Sequence, residues 1–499
     1  MMANAPPATA DPGARLRRFV LGATILASSL AFIDGTVVIV ALPSIQQGFD
    51  TDFQAVQWVV NGYALMLGAL ILVAGGLGDL YGRRRIFLIG ISLFAAASVA
   101  CAAAPNVGIL VAARVIQGVG AALLVPQSLA IITACFPREV RGKAIGTWAA
   151  ASAATTALGP PIGGFLIDLL DWRAVFWINL PLAALAIWMT LRAVPESKDP
   201  TAHGSIDWIG SFLAIAGFGA LAYGLSAFSE GLDVQGLVYA LIAGGIVAVV
   251  VFVYVQSRAA NPIMPLILFK SQVFTGTAIA TVFLYGCLAG LLFLIPFELE
   301  VHRGMSPTQM GLTLSAVGLI IGAGSRYMGG LSDRFGPRRF LLVGTAVVTL
   351  SCALFALGHP SYWLGILVPI IVLSLGMTVV VSPLTTAVMN AAPEGKSGAA
   401  SGVNNAASRI GGLFAVASLG AFASVIFLNN AGGGADRFGV LPAETSAAYP
   451  ALESAFATAY QSTMWFATLW AAVSFVAVYL WVHNEPAARK VEAAAEPGS

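Results

Sequence analysis

Asp34 stands in a stretch with no other charge, running from Phe19 through Pro43. A carboxylate at the centre of a membrane-length apolar run costs about 2.5–3.5 kcal/mol on insertion scales. A residue in that position holds a partner, a proton or a ligand. Arg114 is the other deep charge. It lies eight residues after Asn106, and Asp34 lies nine residues before Pro43. With Pro43 and Asn106 taken as run ends on the same side, a rise of 1.5 Å per residue sets both charges about 12–13 Å below that boundary. Equal depth permits a pair. Two roles stay open for it: a carboxylate that binds and releases a proton as its partner and ligand change, or a permanent structural ion pair.

Three further groupings carry candidate chemistry. Glu298 and Glu300 close a later apolar run, and either attract cationic solutes or form a solvated helix end. LGPPIGG, Leu158–Gly164, places Gly159, Pro160, Gly163 and Gly164 inside another run. Proline removes backbone hydrogen bonds and glycine lets helices approach, so this stretch is a hinge or a packing seam. GGLGDLYGRRR, Gly75–Arg85, recurs 254 residues later as GGLSDRFGPRR, Gly329–Arg339. Its arginines, Arg83, Arg84 and Arg338 among them, follow the rule that basic residues stay cytoplasmic. Asp79 and its repeat Asp333 are not explained by that rule and read as a paired electrostatic latch beside turns at Gly82 and Gly336. The four cysteines and four histidines are scattered, and no phosphate loop or catalytic triad spacing is present. The expectation is no metal, no cofactor, no nucleic-acid partner and no enzymatic centre.

The elements that must position these groups are membrane helices. The chain is 58% hydrophobic and 10% charged, whereas soluble domains carry about 25% charged residues. Fourteen runs are long enough to cross a bilayer core of about 30 Å: about 19–43, 55–77, 86–104, 107–134, 144–169, 173–194, 206–228, 235–257, 273–299, 308–331, 340–357, 362–389, 401–427 and 459–483. Connections are short except for a polar stretch of about 30 residues after Asn429, containing Gly432–Gly434. With the N-terminus inside, nineteen of the 25 Lys and Arg fall in cytoplasmic segments, from Arg15, Arg17 and Arg18 to Arg489 and Lys490. The outer segments hold only Arg173, Arg303 and Arg437. That asymmetry predicts a multi-pass protein with both termini cytoplasmic.

The repeat divides the chain into two six-span halves, an arrangement suited to alternating access. The predicted organisation is an all-α membrane protein. It has a cytoplasmic tail at 1–18, a six-helix bundle at 19–194 and two inserted helices at 206–257. A second six-helix bundle at 273–483 and a tail at 484–499 complete it. At the repeat offset Asp34 maps to Leu288 and Arg114 near Ile370, so any ion coupling belongs to the first half.

Together these motifs resemble the major facilitator superfamily. GGLGDLYGRR is similar to its loop 2–3 signature, with Leu80 where arginine is usual. LVAARVIQGVGAA, Leu110–Ala122, is similar to the fourth-span signature at Arg114, Gln117, Gly118 and Gly120. LGPPIGG resembles the fifth-span antiporter signature, with Thr155 in place of the leading glycine. IDGTVVIVALP, DWRAVFWINLP and IDWIG resemble the 14-span drug:proton antiporter branch, with Ile39 where asparagine is common.

The resemblance implies an inner (plasma) membrane exporter of hydrophobic or cationic small molecules, driven by the proton gradient rather than by a bound cofactor. It implies Asp34 as the proton-carrying site and Arg114 in the coupling network. The fifth-span motif would be a hinge that suppresses leak, and the loop motifs would stabilise the outward-open state. Small-molecule substrate, protons and lipid bilayer are the implied partners. Two other readings stay open from sequence: a dedicated exporter of one metabolite, and a non-transporting receptor or scaffold.

Overall fold

The computed structural model describes residues 12–198, 206–229, 235–259, 261–393, 396–432, 435, 437–442 and 445–483. Most of the two expected tails, with Arg489 and Lys490, lies outside the described residues, as does Gly434. Among the described residues, fourteen helices are long and apolar enough to cross a membrane, matching the fourteen apolar runs one for one.

The first unit contains α1 (Pro12–Phe49), α2 (Phe53–Tyr81), α3 (Arg83–Ala102), α4 (Val107–Cys135), α5 (Arg138–Leu169), the single turn α6 (Ala174–Trp177) and α7 (Asn179–Ala193). It closes with the first turns of α8 (Trp208–Ser226) and with the segment Gly304–Ser315. The second unit takes the rest of α8, then α9 (Gln235–Arg258), α10 (Gln272–Phe297) and α11 (Pro307–Phe335) beyond Ser315. It continues through α12 (Pro337–Ala356), α13 (Val368–Asn390), α14 (Ser397–Asn430) and α15 (Tyr449–Trp481).

Side chains cap the starts of two helices that carry the site. The Asp52 carboxylate accepts from the Ala55 N–H at 2.6 Å and opens α2. Asn106 does the same for α4 through the Ile109 N–H at 2.9 Å. Side-chain oxygens at this position satisfy amides that lack an intrahelical acceptor. The repeated glycines Gly82 (φ +113°) and Gly336 (φ +81°) join α2 to α3 and α11 to α12. A side chain at either would be strained, which explains why the repeat keeps glycine there.

Three boundaries differ from the sequence expectation. Helix α1 starts at Pro12, inside the expected tail. It also runs through Pro43 to Phe49, so Pro43 is not the end of the first span. One interior proline removes one hydrogen bond, and the turns beyond it are held by packing: Ile45 is buried and the Phe49 ring lies 5.0 Å from Trp172. Helix α15 begins at Tyr449, about ten residues earlier than its apolar run. Leu452, Ala455, Phe456 and Ala459 are buried at helical spacing while Ala451 and Ser454 are exposed, so mean hydropathy hid an amphipathic turn.

The α9 span illustrates the solvent. Only 17% of its hydropathic window is buried, and Val247, Val250 and Tyr254 are exposed. An apolar surface of that kind is stable against hydrocarbon.

Candidate functional site

Glycines set the geometry of the first unit before any polar group is placed. A Cβ on Gly118 would sit 2.6 Å from the Tyr63 carbonyl, and one on Gly120 would sit 2.7 Å from the Phe94 nitrogen. Helix α4 therefore packs backbone to backbone against α2 on one side and α3 on the other. On α5, a Cβ on Gly159 would meet Thr36 Oγ1 at 2.0 Å, and one on Gly163 would meet Val37 Cγ2 at 2.3 Å. The LGPPIGG stretch thus seats α5 on the turn of α1 that carries Asp34. A Cβ on Gly164 would meet the Pro307 carbonyl at 2.0 Å, and the Asp168 carboxylate accepts from the Thr308 N–H at 2.9 Å. The segment is a tight seam within a continuous helix.

These contacts converge on Asp34. It is fully buried, as is Arg114, and the two form an ion pair through Arg114 Nη1 and Asp34 Oδ2. The same Nη1 donates to Gln117 Oε1 at 2.6 Å, and Nε donates to the Val59 carbonyl at 3.0 Å. The guanidinium carbon lies 4.4 Å from the centre of the Tyr63 ring. The other carboxylate oxygen, Asp34 Oδ1, accepts from Gln117 Nε2 at 2.9 Å and from Asn179 Nδ2 at 3.2 Å. Both amides also donate to Ser98 Oγ, at 2.8 and 3.3 Å. Helices α1, α2, α3, α4 and α7 each contribute, so the cluster ties five helices to one carboxylate.

A buried charge pair is tolerable only when its remaining hydrogen-bonding capacity is met. Here neutral amides and a backbone carbonyl meet it. The arginine has partners other than the carboxylate, so loss of the negative charge would leave it solvated by the protein.

The loop motif is local. Arg83 Nε donates to Asp79 Oδ1 at 2.9 Å, one turn away. Glu196 accepts from the Arg84 and Arg85 backbone N–H groups at 3.1 and 3.2 Å, and the Arg83 N–H donates to the Ser197 carbonyl at 2.9 Å. The start of α3 is thereby capped by the segment after α7. In the second copy Pro337 replaces the arginine partner. Asp333 is exposed and, among the described residues, enters no ion pair, while Arg338 Nη2 reaches the Tyr479 carbonyl at 3.2 Å. Among the described residues the repeat keeps the turn in both copies, while the ion pair one turn away is present in the first copy alone.

Glu298 is also not a solvated helix end. It is 3% exposed and begins a π-helical turn, Glu298–His302, that brings Arg303 over it. Arg303 Nε donates to Glu298 Oε1 at 2.9 Å, and His302 Nδ1 lies 3.1 Å from both carboxylate oxygens. Glu300 lies in the same turn.

Sequence reasoning found Asp34, Arg114 and Gln117 and missed Ser98, Asn179, Tyr63 and Glu196. Asn179 had a signal, an amide alone among Trp177, Ile178 and Leu180. Ser98, one serine among alanines, had none.

A model of the family described as Major Facilitator Superfamily matches residues 24–416. The chain is 36% identical over 413 residues to Multidrug resistance protein Stp of Mycobacterium tuberculosis (strain ATCC 25618 / H37Rv), covering 81% of this chain and 76% of that protein. It is 33% identical over 434 residues to Lincomycin resistance protein of Streptomyces lincolnensis, covering 86% and 89%. In fold it is similar to a bacterial homolog of the human lysosomal transporter Spinster in its inward-facing and occupied conformation. That match has a TM-score of 0.68 at 20% identity over 96% of this chain and 98% of that one.

Proposed function

The chain belongs to the Major Facilitator Superfamily, a family of transporters and not of enzymes, and on that premise we propose that it exports drug-like small molecules across the inner membrane in exchange for protons. The similarity to multidrug and antibiotic resistance proteins supports the direction and the substrate class. The observation that supports proton exchange is the Asp34 cluster: one fully buried carboxylate paired with one arginine that has alternative partners.

In the proposed cycle a proton arriving from outside binds Asp34 Oδ2 and displaces Arg114 Nη1. The guanidinium then rests on Gln117 Oε1, the Val59 carbonyl and the Tyr63 ring. Loss of that ion pair loosens α1 from α4, and the Gly159/Gly163 seam carries the change in α1 to α5. Release of the proton to the cytoplasm restores the pair and resets the cycle. Both termini are cytoplasmic in this reading, and no cofactor takes part.

The test is export of ethidium by everted vesicles with and without a proton gradient. Asp34→Asn should insert normally and lose gradient-driven export. Full gradient-driven export by that variant would sink the proton-site role. A second reading, a dedicated exporter of one compound, is favoured by the lincomycin-resistance relative. Growth of expressing cells on chemically unrelated toxic compounds separates the two, since a dedicated exporter protects against one class.

A further inference from the structure

The second unit contains a cavity of about 310 Å³ at the end of α10, α12 and α15. This volume lies at the lower end of the range of small-molecule pockets, about 300–1,000 Å³. Its polar lining is Glu298, His302, Arg303, Glu453, Tyr460 and Gln461. We propose that it is a binding site for a small organic monocation of the arylalkylammonium class, held by Glu453 and Tyr460 in competition with a proton on His302.

The charge distribution favours a cation. Glu298 is neutralised by Arg303, which is itself fixed by the Pro360 carbonyl at 2.8 Å and the His359 carbonyl at 3.3 Å. Arg303 is thus committed and does not serve the rest of the cavity. Glu453 then faces only His302 Nε2, at 3.7 Å, beyond hydrogen-bonding distance. With His302 neutral, the cavity carries one uncompensated negative charge.

A second observation, independent of the acids, points to a ligand. Tyr460 is 4% exposed, lines the cavity, and its hydroxyl is buried without a hydrogen-bond partner among the described residues. Buried polar atoms without partners are rare. An ammonium donates to both the Glu453 carboxylate and the Tyr460 oxygen, and Phe355 and Ala457 offer the apolar wall for an aryl body.

Proton competition follows from the same positions. The groups facing His302 are Glu298 and Arg303 from its own turn and Glu453 and Tyr460 from α15, with the Phe456 ring 5.8 Å away. From the loop after α12 the cavity meets backbone, since the His359 ring is occupied by the Ser361 N–H at 3.1 Å. Protonated His302 ties Glu298 to Glu453 and supplies the positive charge that the ligand would bring. Every residue named lies in the second unit, whereas Asp34 and its partners lie in the first.

The experiment is calorimetric titration of 2-phenylethylammonium, which stays protonated throughout, into the full chain in lipid nanodiscs at pH 5.5 and pH 8. Binding should be about tenfold tighter at pH 8. Glu453→Gln should weaken binding at pH 8 about tenfold and Tyr460→Phe about threefold. His302→Gln should bind and lose the pH dependence. Asp34→Asn should bind as the parent does, which separates this site from the export reading. Unchanged binding in both Glu453→Gln and Tyr460→Phe, or parent binding indifferent to pH, would overturn the proposal. The two variants sit on independent contacts, and unaltered thermal unfolding of either one suffices to decide.

Discussion

The Asp34 and Glu298 clusters both consist of an acid held by an arginine, yet they are assembled in opposite ways. Asp34 takes its hydrogen bonds from two other helices, α4 and α7, with Arg114 80 positions away, and the wider cluster draws in α2 and α3. Glu298 is served by the two residues that end its own turn, His302 and Arg303, and Arg303 in turn donates to the carbonyls of one loop. The first pair is sealed, with side-chain exposures of 0% and 2%, whereas the second stands at 4% and 15% beside an open cavity. Assembly from distant helices ties the first cluster to the packing of the bundle, whereas the second is held within one turn and one loop. The first arrangement suits coupling and the second suits reversible binding.

The contrast is broken most strongly by removing the arginines. Arg114→Met strands a carboxylate in a sealed site and should cost about 3–5 kcal/mol, read as a large drop in thermal unfolding midpoint. Adding Asp34→Asn to it should return most of that loss. Arg303→Met should cost less, because His302 Nδ1 still lies 3.1 Å from both Glu298 oxygens and the arginine side chain is partly exposed. Equal losses at the two sites would erase the distinction drawn from burial. A middle-sized effect is expected at the α1–α5 seam. Gly163→Val has no room beside Val37 and should destabilise by about 1–3 kcal/mol, with gradient-driven export falling further than the unfolding midpoint alone explains. The smallest effect belongs to the loop pair. Asp79 is 36% exposed and one turn from Arg83, so Asp79→Asn should shift stability by no more than about 1 kcal/mol, measured by the same unfolding assay.

Much of this was legible in the chain. Span number followed from apolar run length, because hydrocarbon demands about 20 apolar residues per helix. Asp34 and Arg114 were legible because a charge is conspicuous where none is tolerated. Ser98 was not, since a serine among alanines looks the same whether it faces lipid or a carboxylate. The burial of Glu298 was not legible because a run boundary says nothing about a π-turn folding an arginine back over it. The start of α15 was missed for a related reason: hydropathy averages over both faces of an amphipathic turn.

By itself the sequence determined the membrane solvent, the helix count, the internal repeat and the two charges that had to find partners. Those depend on composition and on distances along the chain. Only the tertiary structure decided that Asp34 meets Arg114, that Asn179 and Ser98 complete the cluster, and that Glu453 faces His302 across a cavity. These contacts join residues far apart in the chain through rotations of helices about their axes. Such rotations are set by the sum of many glycine-permitted backbone contacts and by no single motif.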